Sequence, residues 1–136
     1  MSWDAYIDSL RDYCGRAVVD KGAIIGLDNG AAWAPGHADA LNITAAEGAT
    51  ISSAMRSKDF TTFHENGVWV EGKKYRFLRG DPEEGLAFAK LKEHGSLTIQ
   101  KTTQAIIITH TAEGQNQGTA NAGTDQLGKY LVGVDM

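Results

Sequence analysis

The residues that most often carry catalysis or metal binding are scattered in this sequence. It has one cysteine, Cys14, and its histidines stand at His37, His64, His94 and His110, without short metal-ligand spacing. A structural zinc site needs four ligands, mostly in closely spaced pairs of cysteine or histidine. Isolated histidines are more often surface or structural residues than ligands. The pattern therefore gives no support for a metal centre.

Acid–base chemistry is equally hard to place. The stretch "DPEEG" at 81–85 groups three carboxylates. A helix start explains it without catalysis, with Asp81 as the cap, Pro82 at the first helical position and Glu84 in a capping box. No phosphate-binding glycine motif occurs, since the glycines fall at turns and helix ends. We therefore expect a protein without catalytic residues, metal or cofactor, which acts by binding and is not an enzyme.

Aromatic residues offer a first binding feature. Trp3 and Tyr6 share one face of a helix, Trp33 lies in a short strand and Tyr130 in the last helix. On pattern alone, the first two fit the apolar stripe of their helix slightly better than an exposed site. Because chain ends often lie close together, all four rings can also form one groove. Such a groove suits the stiff polyproline II helix, whose carbonyls accept indole N–H and tyrosyl O–H hydrogen bonds.

Basic residues in "GKKYRFLRGD" and just beyond it offer a second feature. On a strand, Lys74 and Arg76 point to the same side, whereas Arg79 lies on the other side or at the strand's end. An ordinary solvated face explains the cluster as well as a patch for an acidic protein surface or phosphorylated lipid headgroups does. The cluster consists of Lys73, Lys74, Arg76, Arg79, Lys90 and Lys92.

Bulk properties narrow the class of protein. A chain of 136 residues, 42% hydrophobic and 22% charged, fits one globular domain over residues 1–136. Its net charge of -4 argues against general affinity for nucleic acid. The lone cysteine excludes an intrachain disulfide and fits a reducing compartment. Without a long apolar run or a signal-peptide pattern, we expect a cytoplasmic location.

Hydrophobic spacing and capping residues predict four helices. Ser2 can cap the first helix, which buries a stripe that includes Ile7 and Leu10. Thr44 and Glu47 form a capping box at the start of the second, and Thr124 caps the last. The predicted helices cover 2–18, 44–56, 81–92 and 124–136.

Strands are predicted between these helices. A hairpin turns at Asn29-Gly30, and three strand-like runs follow from Phe60 with turns at Asn66-Gly67 and Glu71-Gly72. Residues 96–111 form another hairpin, and its run Ile106–Ile108 is apolar on both faces, as in a central covered strand. The segment 112–123 is an exposed loop. The order α, β-β, α, β-β-β, α, β-β, α indicates an α+β fold around an antiparallel sheet.

Taken together, these segments resemble the profilin family along the whole chain. The stretches that carry the resemblance are "SWDAYID", "AAWA", "NITAAE", "NGVWVEGKKYRFLRGD", "LTIQKTTQAIII" and "LGKYL". The resemblance implies a central antiparallel sheet with the N- and C-terminal helices on one face and shorter helices on the other. It also implies a monomer that binds monomeric actin, proline-rich proteins and phosphoinositides, and that regulates nucleotide exchange on actin and filament assembly at the cytoskeleton.

The resemblance also assigns residues to each surface. The proline-rich site matches Trp3, Tyr6, Trp33 and Tyr130. The actin surface, built from the later strands, the third helix and the start of the last helix, matches Lys74, Arg76, Arg79, Lys90 and Asn121. Phosphoinositide headgroups match Lys74, Arg76, Lys90 and Lys92.

Two departures from the family's pattern leave alternatives open. The segment 112–123 has no Lys or Arg, which weakens the expected actin contact there, and "GVDM" lacks a terminal aromatic, which makes the proline groove smaller at that edge. One alternative is a divergent scaffold that keeps the peptide groove and has weak or lost actin binding. Another is a small-ligand α/β sensor domain, but no interior polar cluster supports it.

Overall fold

The computed structural model describes residues 3–136, in which six strands form one antiparallel sheet. The strands are β1 Val19–Gly26, β2 Val68–Val70, β3 Lys73–Asp81, β4 Leu86–Leu91, β5 Gly95–Lys101 and β6 Ala105–Thr111. The helices are α1 Asp4–Cys14, α2 Ala45–Ser57, α3 Thr61–Asn66 and α4 Gln117–Gly133. The sheet order is β1-β6-β5-β4-β3-β2.

The two sides of the sheet carry separate cores. Helices α1 and α4 cover one side, where their apolar residues pack on Ile24 and Ile107. Helices α2 and α3 cover the other side, which includes Ile106 and Ile108. These three isoleucines of β6 are fully buried, so the prediction of a central, doubly covered strand is confirmed. The predicted α+β arrangement, with the terminal helices on one face and the shorter helices on the other, is confirmed as well.

Helices α1 and α4 cross at a glycine. A Cβ added at Gly123 would lie 2.4 Å from the Sγ of Cys14 and 2.7 Å from its backbone nitrogen. Only a residue without a side chain permits this approach. The close crossing holds the first and last helices together, as the buried stripe of Ile7, Leu10 and Cys14 requires. Ser2, the predicted cap of α1, lies outside the described residues.

Residues 60–66 differ from the sequence prediction, because Thr61–Asn66 form helix α3, with Phe60 as its N-cap, instead of a strand. Phe60 and Phe63 are both buried and their rings lie 5.2 Å apart, which is the i, i+3 contact of a helix. Asp59 accepts hydrogen bonds from the backbone N–H and hydroxyl of Thr61 and so stabilises the helix start. The strand preference of Phe and Thr made this segment resemble a strand.

Residues 81–92 were predicted as a helix, and this is wrong. Asp81 accepts hydrogen bonds from the N–H groups of Glu83 and Glu84 in a turn, which ends at Gly85 with φ +70°. The chain then runs back as β4. Ala87 and Ala89 are fully buried, so this strand has period two. Because the buried alternate positions hold small alanines, the period of two was not recognised in the sequence, and a helix was predicted.

Three predicted boundaries also change. Helix α4 begins at Gln117, where the Asn116 side chain accepts the N–H of Thr119. Thr124, the predicted cap, lies buried within this helix, so residues 117–123, more than half of the predicted 112–123 loop, are helical. Helix α1 ends at Cys14 and not at Val18. The predicted second strand of the first hairpin is reduced to one bridge between Ile25 and Ala32.

Among residues 3–136, no helix combines the length and apolar character needed to cross a bilayer.

Candidate binding surfaces

Four aromatic side chains meet on the side of the sheet covered by α1 and α4. Trp3 lies at the centre, 4.8 Å from Tyr6 and 4.5 Å from Trp33 between ring centroids. The ring of Tyr130 lies 6.0 Å from that of Tyr6. Tyr130 is 45% exposed and the other three rings are half-buried. We call these four residues the aromatic cluster; their rings form one continuous surface.

The geometry of α1 decides between the core and surface interpretations of Trp3 and Tyr6. Ile7 and Leu10 are fully buried and anchor the helix on the sheet. Trp3 and Tyr6 pack only against the edge of that core and keep part of their rings in solvent. Burial raises the pKa of Tyr6 above its ordinary value of 10.0, and its interaction with Tyr130 raises it further. The Tyr6 hydroxyl therefore stays protonated at neutral pH and can donate to carbonyl oxygens.

Trp33 reaches the aromatic cluster from an irregular segment that is tied to α1. The Arg11 guanidinium contacts the Asp39 carboxylate at 2.7 Å, and the His37 ring contacts Asp8 at 2.9 Å. The other ring nitrogen of His37 accepts the N–H of Asp39. These bonds hold both ends of the segment 37–39 against the helix that carries Trp3 and Tyr6. Their spacing in sequence, 29 residues for His37 and Asp8, left no local pattern that could have predicted them.

The basic residues lie on a different part of the sheet, on strands β3 and β4. Arg76 is the direct cross-strand partner of Lys90. A bulge between Phe77 and Arg79 then shifts the register of β3. The expectation that Arg79 points away from Arg76 is therefore wrong: Arg79 pairs with Phe88, which shares a face of β4 with Lys90. Its guanidinium lies 5.0 Å from the centre of the Phe88 ring, a cation–π contact.

Asn121 joins this face from the first turns of α4. Its side-chain oxygen accepts a hydrogen bond from the Thr98 hydroxyl at 2.5 Å. Thr98 is in turn the cross-strand partner of Phe88. A row of contacts thus runs from Asn121 through Thr98 and Phe88 to Arg79. The structure brings the five residues matched to actin onto one side of the sheet.

Four of the basic residues also line one concavity of about 560 Å³. We call it the basic cleft; Lys74, Arg76, Lys90 and Lys92 line it together with Phe77, Leu78 and residues of α3. Glu65 contributes the only carboxylate among the lining residues that the structure describes. A trianionic or tetraanionic headgroup would meet four cations here.

Sequence reasoning missed several residues of these surfaces. Phe88 was predicted to lie in a helix, so its contact with Arg79 could not be predicted. Trp69 and Leu78 were predicted to lie in strands, but their exposure to solvent was not predicted; they are 46% and 48% exposed. Trp69 is the cross-strand partner of Lys74. The signal that could have identified them is their alternation with buried neighbours, Val68 and Val70 for Trp69.

The interior is more polar than the sequence indicated. Thr109 and Thr124 are fully buried and their hydroxyls lie 2.8 Å apart. Thr124 also donates to the carbonyl of Ala120. This pair joins β6 to α4 and its hydrogen bonds are satisfied, which favours a structural role. Over residues 3–136, His, Cys, Asp and Glu form no group of three or more that could hold a metal ion.

Comparison with known proteins agrees with this architecture. The family model for profilin matches residues 1–136. Profilin of Clypeaster japonicus is 45% identical over 141 residues, and profilin of Suberites domuncula is 45% identical over 142 residues; in both cases the match covers 100% of each chain. This chain therefore belongs to the profilin family.

Solved structures show the same fold. Acanthamoeba castellanii profilin II matches with a TM-score of 0.81 and 28% identity, over 99% of this chain and 100% of that one. Mouse profilin IIa, solved in complex with a double repeat from the FH1 domain of mDia1, matches with a TM-score of 0.76 over all of both chains. At 20% identity, the mouse protein shows the likeness of fold alone.

Proposed function

We propose that this protein is a monomeric, cytoplasmic profilin that binds proline-rich segments at the aromatic cluster and monomeric actin at the face formed by β3, β4 and the start of α4. It also binds phosphoinositide headgroups in the basic cleft. Through these contacts it regulates nucleotide exchange on actin and filament assembly. The observation that carries the proposal is the contact of four partly exposed aromatic rings contributed by both terminal helices and the segment around Trp33.

The aromatic cluster suits a proline-rich segment for physical reasons. Proline rings pack on flat aromatic surfaces, and a polyproline II helix loses little conformational entropy on docking. Its carbonyls have no internal hydrogen bonds and can accept the hydroxyl protons of Tyr6 and Tyr130. The rings of Trp3, Tyr6 and Trp33 are held by packing on the core below them, so little ordering of these three side chains is required on binding.

Binding to poly-L-proline tests this site. Tyr130→Ala should lower the affinity at least about tenfold, because interface tyrosines typically contribute 1–2 kcal/mol or more. Tyr130 is exposed, so the free energy of unfolding should stay near that of the wild type. Tyr13→Ala is the matched control: it removes an exposed tyrosine of α1 that is not part of the aromatic cluster, and it should bind normally. Wild-type protein that is folded and does not bind poly-L-proline would disprove the proposed site.

The proposed actin-binding surface lies on one side of the sheet. Lys74, Arg76, Arg79 and Lys90 project from adjacent strands, and Asn121 adjoins them through Thr98. Four cations spread over a sheet face suit the carboxylates of an acidic protein surface. Lys74→Glu combined with Arg76→Glu should weaken actin binding at least tenfold, measured by nucleotide exchange on monomeric actin. The same double variant should bind poly-L-proline normally, since the aromatic cluster is separate from these residues.

A specific observation favours a second candidate function. The segment 112–116 and the first turns of α4 have no Lys or Arg, so only Asn121 represents this end of the face. A scaffold that binds proline-rich partners and has lost actin binding would show this pattern. Sedimentation with monomeric actin separates the two candidates: the scaffold would bind poly-L-proline and fail to retain actin at micromolar concentrations.

A further inference from the structure

We infer that the basic cleft belongs to a membrane-docking surface, in which Trp69 and Leu78 enter the interface of an anionic lipid bilayer while the four basic residues bind its headgroups. This inference rests on the proposed phosphoinositide binding and adds to it. It gives two exposed apolar residues a role in holding the protein at the bilayer.

The placement of the two apolar side chains carries the first step. Leu78 lines the basic cleft itself and is 48% exposed. Trp69 lies next to Lys74 on the neighbouring strand and lines a second groove of about 330 Å³. Phe63 and Gly67 line both concavities, so the two concavities are adjacent. Two large apolar side chains thus flank one group of cations.

The chemistry of Trp69 fits a bilayer interface. Its indole N–H already donates to the carbonyl of Asn66 at 3.0 Å. The part of the ring that remains in solvent therefore needs no further hydrogen bond when it leaves water. Tryptophan is enriched at the level of lipid headgroups, and peripheral binding strengthens with buried apolar area and with attraction to anionic lipids.

Charge supports the same partner. No carboxylate lies within 4.0 Å of the nitrogens of Lys74, Arg76, Lys90 or Lys92 among the residues that the structure describes, whereas Lys21, Lys58 and Lys129 each contact one. These four cations are available to lipid phosphates. The chain as a whole has 17 acidic and 13 basic residues. A negative membrane therefore attracts this face and repels the rest of the molecule, which orients the protein.

Binding to two forms of one headgroup tests the inference. The first ligand is phosphatidylcholine vesicles that contain phosphatidylinositol 4,5-bisphosphate, and the second is soluble inositol 1,4,5-trisphosphate. Trp69→Ala should weaken vesicle binding about tenfold, because roughly half of a large ring no longer leaves water. Leu78→Ala should weaken it by a smaller factor. Trp69→Ala should bind the soluble headgroup as the wild type does, because Trp69 does not line the basic cleft, and Tyr13→Ala should bind both ligands normally.

Fluorescence gives a direct readout of insertion. Brominated acyl chains in the vesicles should quench emission of the wild-type protein, and Trp69→Phe should remove that quenching. Circular dichroism and poly-L-proline binding check that each variant is folded.

Each outcome identifies what has failed. Unchanged vesicle binding by Trp69→Ala and Leu78→Ala overturns the inference and leaves headgroup binding intact. A wild type that binds neither vesicles nor the soluble headgroup refutes phosphoinositide binding itself. Loss of actin affinity in Trp69→Ala, with vesicle binding unchanged, would make this surface a protein interface and also overturn the inference.

Discussion

Cys14 is 2% exposed at the crossing of α1 with α4, and its thiol donates to the carbonyl of Ala120 at 3.4 Å. Burial raises its pKa from 9.0 to about 11, although the interaction with Thr124 lowers it slightly. The thiolate is the reactive form, so we expect iodoacetamide to modify the folded protein at pH 8 about 100-fold more slowly than the denatured chain. Mass spectrometry of the alkylated protein measures this. Equal rates would mean that the helix crossing opens freely.

The same burial predicts a loss of stability in base. Tyr75 is 3% exposed, and burial, with the charges of Glu71 and Asp20, raises its pKa to about 12. For Cys14 and Tyr75, the folded state keeps its proton to higher pH than the unfolded state does. The free energy of unfolding is therefore unaffected by these groups below about pH 9 and falls as the pH rises from 9 to 12.

Urea unfolding at a series of pH values checks this prediction. The midpoint should decline above pH 9, and Tyr75→Phe should flatten the part of the decline above pH 10, because it removes that proton. A Tyr75→Phe protein whose midpoint falls as steeply as the wild type's would contradict the assignment to Tyr75.

Among the elements, α2 is coupled to the β2–β3 turn by one carboxylate. Glu47 accepts the N–H of Thr44 in the capping box, and it also accepts the N–H groups of Glu71 and Gly72 at 3.0 and 2.8 Å. Glu71 and Gly72 both have positive φ, so this tight turn depends on external support. The turn carries the strand on which Lys74 lies.

We expect Glu47→Ala to lower the free energy of unfolding by about 2–3 kcal/mol, because it leaves several backbone donors without their charged acceptor. Thr44→Ala removes only the other half of the capping box and should cost about 1 kcal/mol. Urea unfolding of the two variants gives the comparison. Equal losses would show that the turn does not depend on Glu47.

Glycine at the α1–α4 crossing gives a second prediction at this scale. Gly123→Ala places a methyl group against the backbone and sulfur of Cys14, so one helix must shift, and we expect a loss of about 1–3 kcal/mol in the free energy of unfolding. Gly133→Ala, in the same helix, has no atom within 4 Å of the new Cβ and should be neutral or slightly stabilising. Thermal unfolding of the pair measures the difference; similar melting temperatures would mean that the crossing adapts.

Local signals predicted some elements and could not predict others. The capping box at Thr44 and the apolar run of β6 are sequence-local, and both predictions are confirmed. Segments 60–66 and 81–92 were wrong because side-chain burial against distant elements outweighs their local propensity. The bulge that turns Arg79 toward Lys90 depends on pairing between strands, which a single sequence does not reveal.

Across the whole molecule, the proposed actin face and the aromatic cluster share one rigid element, because α4 carries Asn121 near its start and Tyr130 near its end. We expect a saturating concentration of poly-L-proline to change the affinity for monomeric actin by less than about twofold, since neither ligand covers the other's residues. Titration of actin with and without the peptide measures this. A tenfold change in either direction would reveal coupling through α4.

The length of helix α4 also sets a minimum length for the chain of any partner that contacts both of its ends. Asn121 and Tyr130 are nine positions apart in sequence, which corresponds to about 13 Å along the helix axis. A chain that fills the aromatic cluster and continues to the start of α4 must cover this distance with at least about four extended residues. The spacing between a proline tract and whatever follows it in a partner therefore has a lower limit that this helix sets.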